Sequence, residues 1–262
     1  MSVEIEKHLA HRKTEWQEID IYETVAFGRI LTLDGHIQLA EVDEAVYHEF
    51  LVHMPMLSVE SPKAALVVGG GDGGVLRELC KYSSIEHIDM AEIDSGVVEE
   101  SKEHLPFVSN GAFDDPRVHL HITDAFAFVK SAPKKYDLIV VDSTDVYEDE
   151  EGGISEQLFT EEFYKDCLAL LTPEGFLVTQ ADNPVFCPYS LEHIREEFSA
   201  IFPVVGDYFA AIPSFGGYSA YAWVSRGAQL LNEFPADRAA GLSLKRLNAA
   251  SYAFALTPPP GL

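Results

Sequence analysis

The amino-acid sequence predicts an α/β fold in which a doubly wound, mostly parallel sheet of seven strands follows a small N-terminal antiparallel β-sheet. From residue 64 onward, apolar strand-like segments alternate with helix-like segments five times, beginning with AALVV and LRELCKY. Two late segments, VGDYFAAIP and YSAYAWVS, flank residues 214–217 and predict an antiparallel hairpin that completes the sheet. The 262 residues are enough for one principal α/β domain and a smaller addition.

The N-terminal sheet is predicted from residues 16–42, where apolar and polar side chains alternate and Asp34-Gly35 is a turn signal. Residues 43–57 then have the helical spacing of apolar side chains, with Asp43 as a candidate N-cap. We therefore predict two units, an N-terminal β-sheet domain with a connecting helix over residues 1–58 and a Rossmann-like catalytic domain over residues 59–262.

One histidine pair is similar to a metal-binding motif. The segment HEFLVH, from His48 to His53, resembles the metalloprotease H-E-x-x-H but has one residue more. Without i,i+4 spacing the two imidazoles do not share a helix face, so we reject a zinc site there. The cysteines form no C-x-x-C pair and are predicted to be inert core thiols: Cys80, Cys167 and Cys187. The sequence predicts neither a disulfide framework nor a zinc site.

The charge of the chain limits the classes of partner. It carries 18 basic and 43 acidic side chains, which gives a formal net charge of −25. Such a field repels nucleic acid and anionic lipid and attracts small cations. The alternative is that the acidic residues serve only to keep the protein in solution. No apolar run approaches the roughly 20 residues of a membrane span, and MSVEIEKHLAHRKTEW lacks the core of a signal peptide. We expect a cytoplasmic protein that binds neither nucleic acid nor membranes.

The first strand-to-helix turn of the α/β region has a nucleotide-binding pattern. In VVGGGDGGVLREL, Gly69, Gly71 and Gly74 satisfy G-x-G-x-x-G between a predicted strand and a predicted helix. Glu92, at the end of the next strand, is placed to accept hydrogen bonds from two ribose hydroxyls. Asp72 within the turn would repel a pyrophosphate, so it favours a ligand with positive charge there, such as a sulfonium or an ammonium. The alternative role of Asp72 is a simple helix N-cap.

Acidic residues also follow the third and fourth strands. Asp124 is a candidate acceptor for an adenine amino group, as in adenosine-binding sheets of the methyltransferase type, and Ala125 is small enough to lie beside the ring. An exposed helix cap is the alternative role of Asp124. Asp142 and Asp145, in the segment DSTD, follow the buried run DLIVV. They are predicted to lie beside the nucleotide at the carboxyl edge of the sheet, where open α/β sheets bind ligands.

An ordered set of motifs resembles the spermidine synthases, which are polyamine aminopropyltransferases. The motifs run from about residue 16 to 256 and include FGRILTLDGHIQ, DEAVYHE, VVGGGDGGVLREL, DSTD, QLFTEEFY and AIPSFGGYSAYAW. The resemblance implies a sheet of the class I methyltransferase type and transfer of an aminopropyl group from decarboxylated S-adenosylmethionine to an amine. Putrescine giving spermidine is the expected case, with release of methylthioadenosine. It also implies a homodimer or homotetramer and no cofactor or metal besides the nucleotide co-substrate.

The resemblance assigns roles to individual residues. Asp142 is the general base, and Asp72 contacts the ammonium of the donor's aminopropyl group. An alkylamine has a pKa of about 10.4, like Lys, so at neutral pH it cannot attack carbon until a group accepts its proton. The donor-binding positions are Gln17, His48, Asp72, Glu92, Asp124 and Ala125. The acceptor-binding positions are Tyr47, Asp145, Gln180 and Phe215.

Alternatives stay open on the acceptor side, where the chain departs from the family pattern twice. The family follows its DSTD-like motif with Pro-x-Gly-Pro, whereas residues 146–157 form a longer loop without proline, in which residues 148–151 are all acidic. Those acids either recognise a longer or more strongly charged amine or form a solvated rim. Phe215 stands where the family commonly has a tyrosine, and Tyr47 and Gln180 have packing as an alternative role.

Three classes of function are therefore distinguished. The first is aminopropyl transfer to putrescine, agmatine, cadaverine or spermidine. The second is a non-catalytic polyamine sensor, which the presence of Asp142 and Asp145 disfavours. The third is methyl transfer from intact S-adenosylmethionine, which Asp72 disfavours because it would repel the carboxylate of that nucleotide.

Overall fold

The N-terminal part of the protein is a four-stranded antiparallel sheet in which strands adjacent in sequence are adjacent in space. The computed structural model describes residues 3–143 and 160–258. The last turn of this sheet has the left-handed backbone that an Asp-Gly pair favours, with φ of 49° at Asp34 and 80° at Gly35. The strands are β1 (Ile5–Lys13), β2 (Glu18–Thr24), β3 (Gly28–Leu33) and β4 (His36–Ala40).

Strand β1 extends this sheet beyond the segment that the sequence predicts. The prediction from residues 16–42 is incomplete because IEKHLAHRK shows no alternation of apolar residues, and none of its residues is fully buried. The segment becomes a strand through pairing with β2, from Ile5 opposite Thr24 to Lys13 opposite Glu18. Its conformation is therefore set by a tertiary partner rather than by a local pattern.

Helix α1 (Glu44–Met56) connects the two parts and is buried along nearly its whole length. The predicted N-cap, Asp43, precedes the helix but makes no capping hydrogen bond. Its carboxylate accepts hydrogen bonds from the backbone N–H and the hydroxyl of Ser214, at 2.9 and 2.8 Å. The predicted N-cap position of Asp43 is confirmed, but its side chain does not cap the helix because donors distant in sequence occupy both carboxylate oxygens.

The C-terminal part is built on a seven-stranded sheet, which confirms the predicted fold class. Its strands are β5 (Ala64–Gly69), β6 (His87–Glu92), β7 (Val118–Ile122), β8 (Tyr136–Asp142), β9 (Leu171–Gln180), β10 (Val204–Ile212) and β11 (Gly217–Ser225). Their order is β10-β11-β9-β8-β5-β6-β7. The five strands from β5 to β9 pair in parallel, and the late hairpin adds β11 and β10 in antiparallel orientation.

Helices cover both faces of this sheet. Along β8, Leu138 and Val140 belong to the core that contains α1, whereas Ile139 and Val141 belong to the opposite core. This alternation explains why the strand reads as a continuous apolar run. The remaining helices are α2 (Gly74–Cys80), α3 (Ser95–His104), α4 (Pro106–Ser109), α5 (Ala125–Ser131), α6 (Glu161–Leu170), α7 (Pro188–Ile201), α8 (Ala236–Ala239) and α9 (Ala249–Ala255).

The N-terminal sheet packs against the helices that follow β6. Ile19 and Ile21 on β2 share a core with Val97 on α3. Within the described residues, the helices are all too short or too polar to cross a bilayer. The cysteines are free thiols. The prediction of core thiols is confirmed for Cys167, and Cys80 is half-buried and packs against the core on the other face of the sheet, whereas Cys187 is only half-buried. The domain boundary after residue 58 stays a prediction.

Candidate active site

Five neighbouring strands of the large sheet end in a row at one edge. In sheet order, β9, β8, β5, β6 and β7 end at or next to Gln180, Asp142, the glycine-rich turn, Glu92 and Asp124. At a strand spacing of about 4.8 Å, the row extends over roughly 20 Å. The carboxyl edge therefore brings together residues that are more than 100 positions apart in the sequence.

The glycine-rich turn after β5 lies directly against its neighbours. Gly69 has φ of 77°, and a side chain there would approach the carbonyl oxygen of Asp142 to 2.3 Å. The N–H of Gly70 donates to that oxygen at 2.9 Å. A side chain at Gly74 would overlap the ring of His48 at 2.2 Å. The glycines are thus required because the turn contacts both Asp142 and His48.

Asp72 makes the contact of a helix cap and also lies beside a buried histidine, whereas its predicted contact with a cationic ligand stays a prediction. One carboxylate oxygen accepts a hydrogen bond from the N–H of Gly74, at the first residue of α2, at 2.6 Å. The same oxygen forms an ion pair with Nε2 of His48 at 3.3 Å, outside good hydrogen-bond geometry. The side chain keeps 14% exposure, so it borders the space in front of the turn.

His48 is a buried cation rather than an open ligand group. Its ring is 1% exposed, and Nδ1 lies 2.9 Å from a carboxylate oxygen of Glu44. Burial acts to lower the pKa of His48, but the Asp72 and Glu44 carboxylates outweigh it and raise the pKa to about 10. Glu44 in turn accepts hydrogen bonds from Arg77 at 2.8 and 3.2 Å. This chain of alternating charges fixes the ring.

One set of groups in the site has the composition of a metal centre. His48, Asp72 and Asp142 each bring a ligand-type atom within 4.8 Å of the other two. A histidine binds metal through a deprotonated ring nitrogen. With a pKa of about 10, the His48 ring carries protons on both nitrogens at neutral pH and binds the carboxylates as an imidazolium. The Asp72 and Asp142 carboxylates thus place negative charge beside the His48 ring.

Glu92 lies at the end of β6, next to the glycine-rich turn in the row. Glu92 is 7% exposed and accepts the N–H of Asp94 at 2.8 Å. Burial raises the pKa of Glu92 to about 7. Asp94, which the sequence analysis missed, caps α3 at the N–H of Gly96 and also accepts the side-chain amide of Gln17 at 3.0 Å. The predicted residue Gln17 is thereby held near Glu92.

Asp124 and Ala125 lie at the far end of the row, after β7. Asp124 is exposed and caps α5 by accepting the N–H of Phe126 at 2.9 Å. Ala125 is buried. This contact of Asp124 is that of the exposed cap. The adenine-binding role of Asp124 stays a prediction.

Tyr47 and Asp142 form the opposite end of the site. The Tyr47 hydroxyl donates to one carboxylate oxygen of Asp142 at 2.6 Å. The other oxygen is buried and has no hydrogen-bond partner among the described residues. Burial and the neighbouring Asp72 carboxylate raise the pKa of Asp142 above its ordinary value, against the effects of His48 and Tyr47. Such a carboxyl group is a stronger base than an exposed one.

Phe215 also lies at this end, where its ring meets Tyr47 edge-on at 5.6 Å between centroids. Two hydrogen bonds hold the turn that carries Phe215. The backbone N–H of Ser214 donates to the Asp43 carboxylate, and the side-chain amide of Asn183 donates to the Phe215 carbonyl at 2.9 Å. Gln180 lies next to this turn and accepts the N–H of Asp182.

Two predicted features on the acceptor side, Asp145 and the acidic segment 148–151, lie outside the described residues.

Several residues that position the site were not predicted. The i,i+4 spacing of Glu44 and His48 on a helix was an available signal, since such pairs face each other. Asp94 and Asn183 were not predicted, and Asp43 was predicted only as a helix cap.

The chain matches the family model of the spermine/spermidine synthase domain over residues 44–233 and that of the spermidine synthase tetramerisation domain over residues 1–41. The chain belongs to the spermidine synthase family. It is an aminopropyltransferase enzyme of this family, and the N-terminal sheet corresponds to the part described as a tetramerisation domain.

Relatives and solved structures agree with this family. A polyamine aminopropyltransferase of Ruegeria sp. is 41% identical over 94% of the chain and 82% of the relative. That of Alkaliphilus metalliredigens is 40% identical over 86% of the chain and 78% of the relative. A spermidine synthase structure in complex with the transition-state analogue AdoDATO has a TM-score of 0.91 at 30% identity, covering 98% of the chain and 87% of the neighbour. The Thermotoga maritima spermidine synthase has a TM-score of 0.88 at 29% identity, covering 98% and 86%.

Proposed function

We propose that this spermidine synthase family enzyme transfers the aminopropyl group of decarboxylated S-adenosylmethionine to putrescine, forming spermidine and methylthioadenosine. One observation carries the proposal: carboxylate oxygens of Asp72 and Asp142 lie within 4.8 Å of each other in the middle of the site. Two cations that repel each other must meet in this reaction, and two carboxylates between them offset that repulsion.

The bonds and charges of the reaction balance with the residues present. In its neutral form, after releasing one proton to solvent, the amine attacks the propyl carbon next to the sulfonium through its nitrogen, and the C–S electron pair returns to sulfur, which leaves as a neutral thioether. The new ammonium loses one proton, and Asp142 accepts it. The raised pKa of Asp142, which results from burial and from Asp72, suits this task. Tyr47, bonded to the same carboxylate, is the candidate for orienting the amine.

On the donor side, we assign the ribose hydroxyls to Glu92 and the aminopropyl ammonium to Asp72. Gln17 supports the ribose side through Asp94. Asp124 and Ala125 are assigned to the adenine ring. His48 acts through Asp72, since its buried imidazolium pairs with that carboxylate and orients it.

On the acceptor side, Phe215 and Tyr47 form an apolar wall for the methylene chain of a diamine. Gln180 and Asp145 are assigned to the distal amine. Phe215 lacks the hydroxyl of the usual tyrosine, so the choice among putrescine, cadaverine, agmatine and spermidine rests on a weaker set of polar contacts. We also assign the enzyme to the cytoplasm, as a homodimer or homotetramer that needs no metal or cofactor.

The test is a turnover assay with decarboxylated S-adenosylmethionine and each of the four amines. Methylthioadenosine release is followed, and the new amine is identified by its mass. The highest kcat/KM with putrescine supports the proposal. A higher kcat/KM with another amine would show that aminopropyl transfer is correct and that putrescine is not the preferred acceptor. Tight nucleotide binding without turnover would support a sensor, and methylated product from intact S-adenosylmethionine would support a methyltransferase.

A further inference from the structure

Two histidines and an aspartate converge on the outer strands of the N-terminal sheet, far along the chain from the residues of the active site. His8 and His11 lie on β1, and Asp20 lies on β2. Residues three apart on a regular strand face opposite sides of a sheet. Here β1 has a bulge between His8 and Ala10, so that His8 lies opposite Tyr22 and His11 opposite Asp20. Because Tyr22 and Asp20 are two residues apart, both histidines share one face with them.

The three side chains meet at a single point. Nε2 of His8 and Nδ1 of His11 lie 2.7 and 2.9 Å from the same carboxylate oxygen of Asp20. The His8 ring stacks on Tyr22 at 4.5 Å between centroids, which fixes its orientation. Ligands of a tetrahedral zinc ion are about 3.3 Å apart, so each histidine nitrogen needs to move away from the Asp20 oxygen by only about half an ångström. All the ligand atoms already lie within 4.8 Å of one another.

The surroundings suit a cation that keeps some contact with solvent. The two histidine side chains are 46% and 53% exposed, while Asp20 is 13% exposed. Thr32, opposite Asp20 on β3, has a buried hydroxyl without a hydrogen-bond partner among the described residues. The overall charge of −25 raises the local concentration of cations.

We propose that His8, His11 and Asp20 bind a divalent transition-metal ion of the Zn²⁺ type. Two imidazole nitrogens and one carboxylate are a ligand set that favours Zn²⁺ over Mg²⁺ or Ca²⁺, and water completes the coordination. On binding, His8 coordinates through Nε2 and His11 through Nδ1, and each ring keeps its proton on the other nitrogen. The ion connects β1 to β2 and stabilises the outer strand of the sheet. The spacing H-x-x-H gave no sign of this site, because the bulge is visible only in the structure.

Isothermal titration calorimetry of chelator-treated full-length protein with Zn²⁺ tests the proposal. We expect one ion per chain and at least tenfold weaker binding in the double variant His8→Gln/His11→Gln. The matched control is His193→Gln, which removes an exposed histidine from α7 and should bind Zn²⁺ like the unsubstituted protein. Unchanged binding in the double variant, or no binding by the unsubstituted protein at micromolar Zn²⁺, would overturn the assignment.

A spectroscopic measurement makes the result independent of effects on folding. Co²⁺ in a site with nitrogen and oxygen ligands of low coordination number absorbs strongly in the visible range, and this band should appear with the unsubstituted protein and be absent in the double variant. Circular dichroism confirms that the variant is folded. A Co²⁺ spectrum that is the same in both proteins places the ion elsewhere and contradicts the proposal, whatever the activity of the enzyme.

Discussion

The charge state of His48 predicts how the stability of the enzyme depends on pH. In the folded protein its pKa is raised to about 10 from an ordinary value of 6.5, by the Asp72 and Glu44 carboxylates acting against burial. The folded state therefore retains a proton that the unfolded chain loses. The resulting stabilisation is complete below pH 6.5 and is lost as the pH rises through about 10.

The magnitude follows from this proton difference. Where the folded state holds one more proton, the free energy of unfolding falls by about 1.4 kcal/mol per pH unit. Replacing His48 with Gln removes the group that titrates, so the variant should lose this slope between about pH 7.5 and 8.5 in addition to any constant loss of stability. Urea unfolding of both proteins at the two pH values, at equal protein concentration, measures the difference.

The matched control is His53→Gln, which makes the same chemical change in the same helix. His53 is also fully buried, but burial lowers its pKa, so it is neutral throughout this pH range. The control should lose stability overall and keep the slope of the unsubstituted protein. A His48→Gln variant that keeps that slope too would show that His48 is neutral in the fold, and the imidazolium bridge to Asp72 would be refuted.

Three further perturbations address the reaction itself. Because burial raises the pKa of Glu92 to about 7, and ribose hydroxyls donate to its charged form, methylthioadenosine should bind about tenfold more weakly at pH 6 than at pH 8. Glu92→Gln should remove this dependence in calorimetric titrations, and a pH dependence that persists in the variant contradicts the ribose assignment. Asp142→Asn should lower kcat/KM by about 10² to 10⁴ with little change in nucleotide affinity; a comparable loss of nucleotide binding would instead indicate a structural role. Phe215→Tyr adds a hydroxyl beside Tyr47 and should lower KM for the amine a few-fold while leaving KM for the nucleotide unchanged, so an effect confined to the nucleotide would place Phe215 outside the acceptor pocket.

Much of the candidate site could be predicted because it follows from topology. Once the segments from residue 64 onward are assigned to parallel strands, their carboxyl ends must share one edge, and Glu92, Asp124 and Asp142 are adjacent to those ends. The glycine-rich turn could be placed for the same reason. Such residues are found from the sequence because their positions depend on the order of the strands rather than on details of packing.

The remaining features depend on contacts between segments that are distant in the chain. β1 is a strand because β2 pairs with it, although its own residues show no strand pattern. Asp43 was predicted as a cap because its local sequence fits one, yet Ser214 supplies the donors. Asp94 holds Gln17 only because the N-terminal sheet packs on α3. Local patterns carry no information about these partners.

The bond between Asp43 and Ser214 has a consequence for the order in which the site is completed during synthesis. It joins residues 171 positions apart, and the glycine-rich turn, Glu92, Asp124 and Asp142 all lie between them. A ribosome therefore releases all of these residues before the turn that carries Phe215 emerges. The contact of Phe215 with Tyr47 is therefore made only when the late hairpin returns to the start of α1, so this side of the carboxyl edge is completed last.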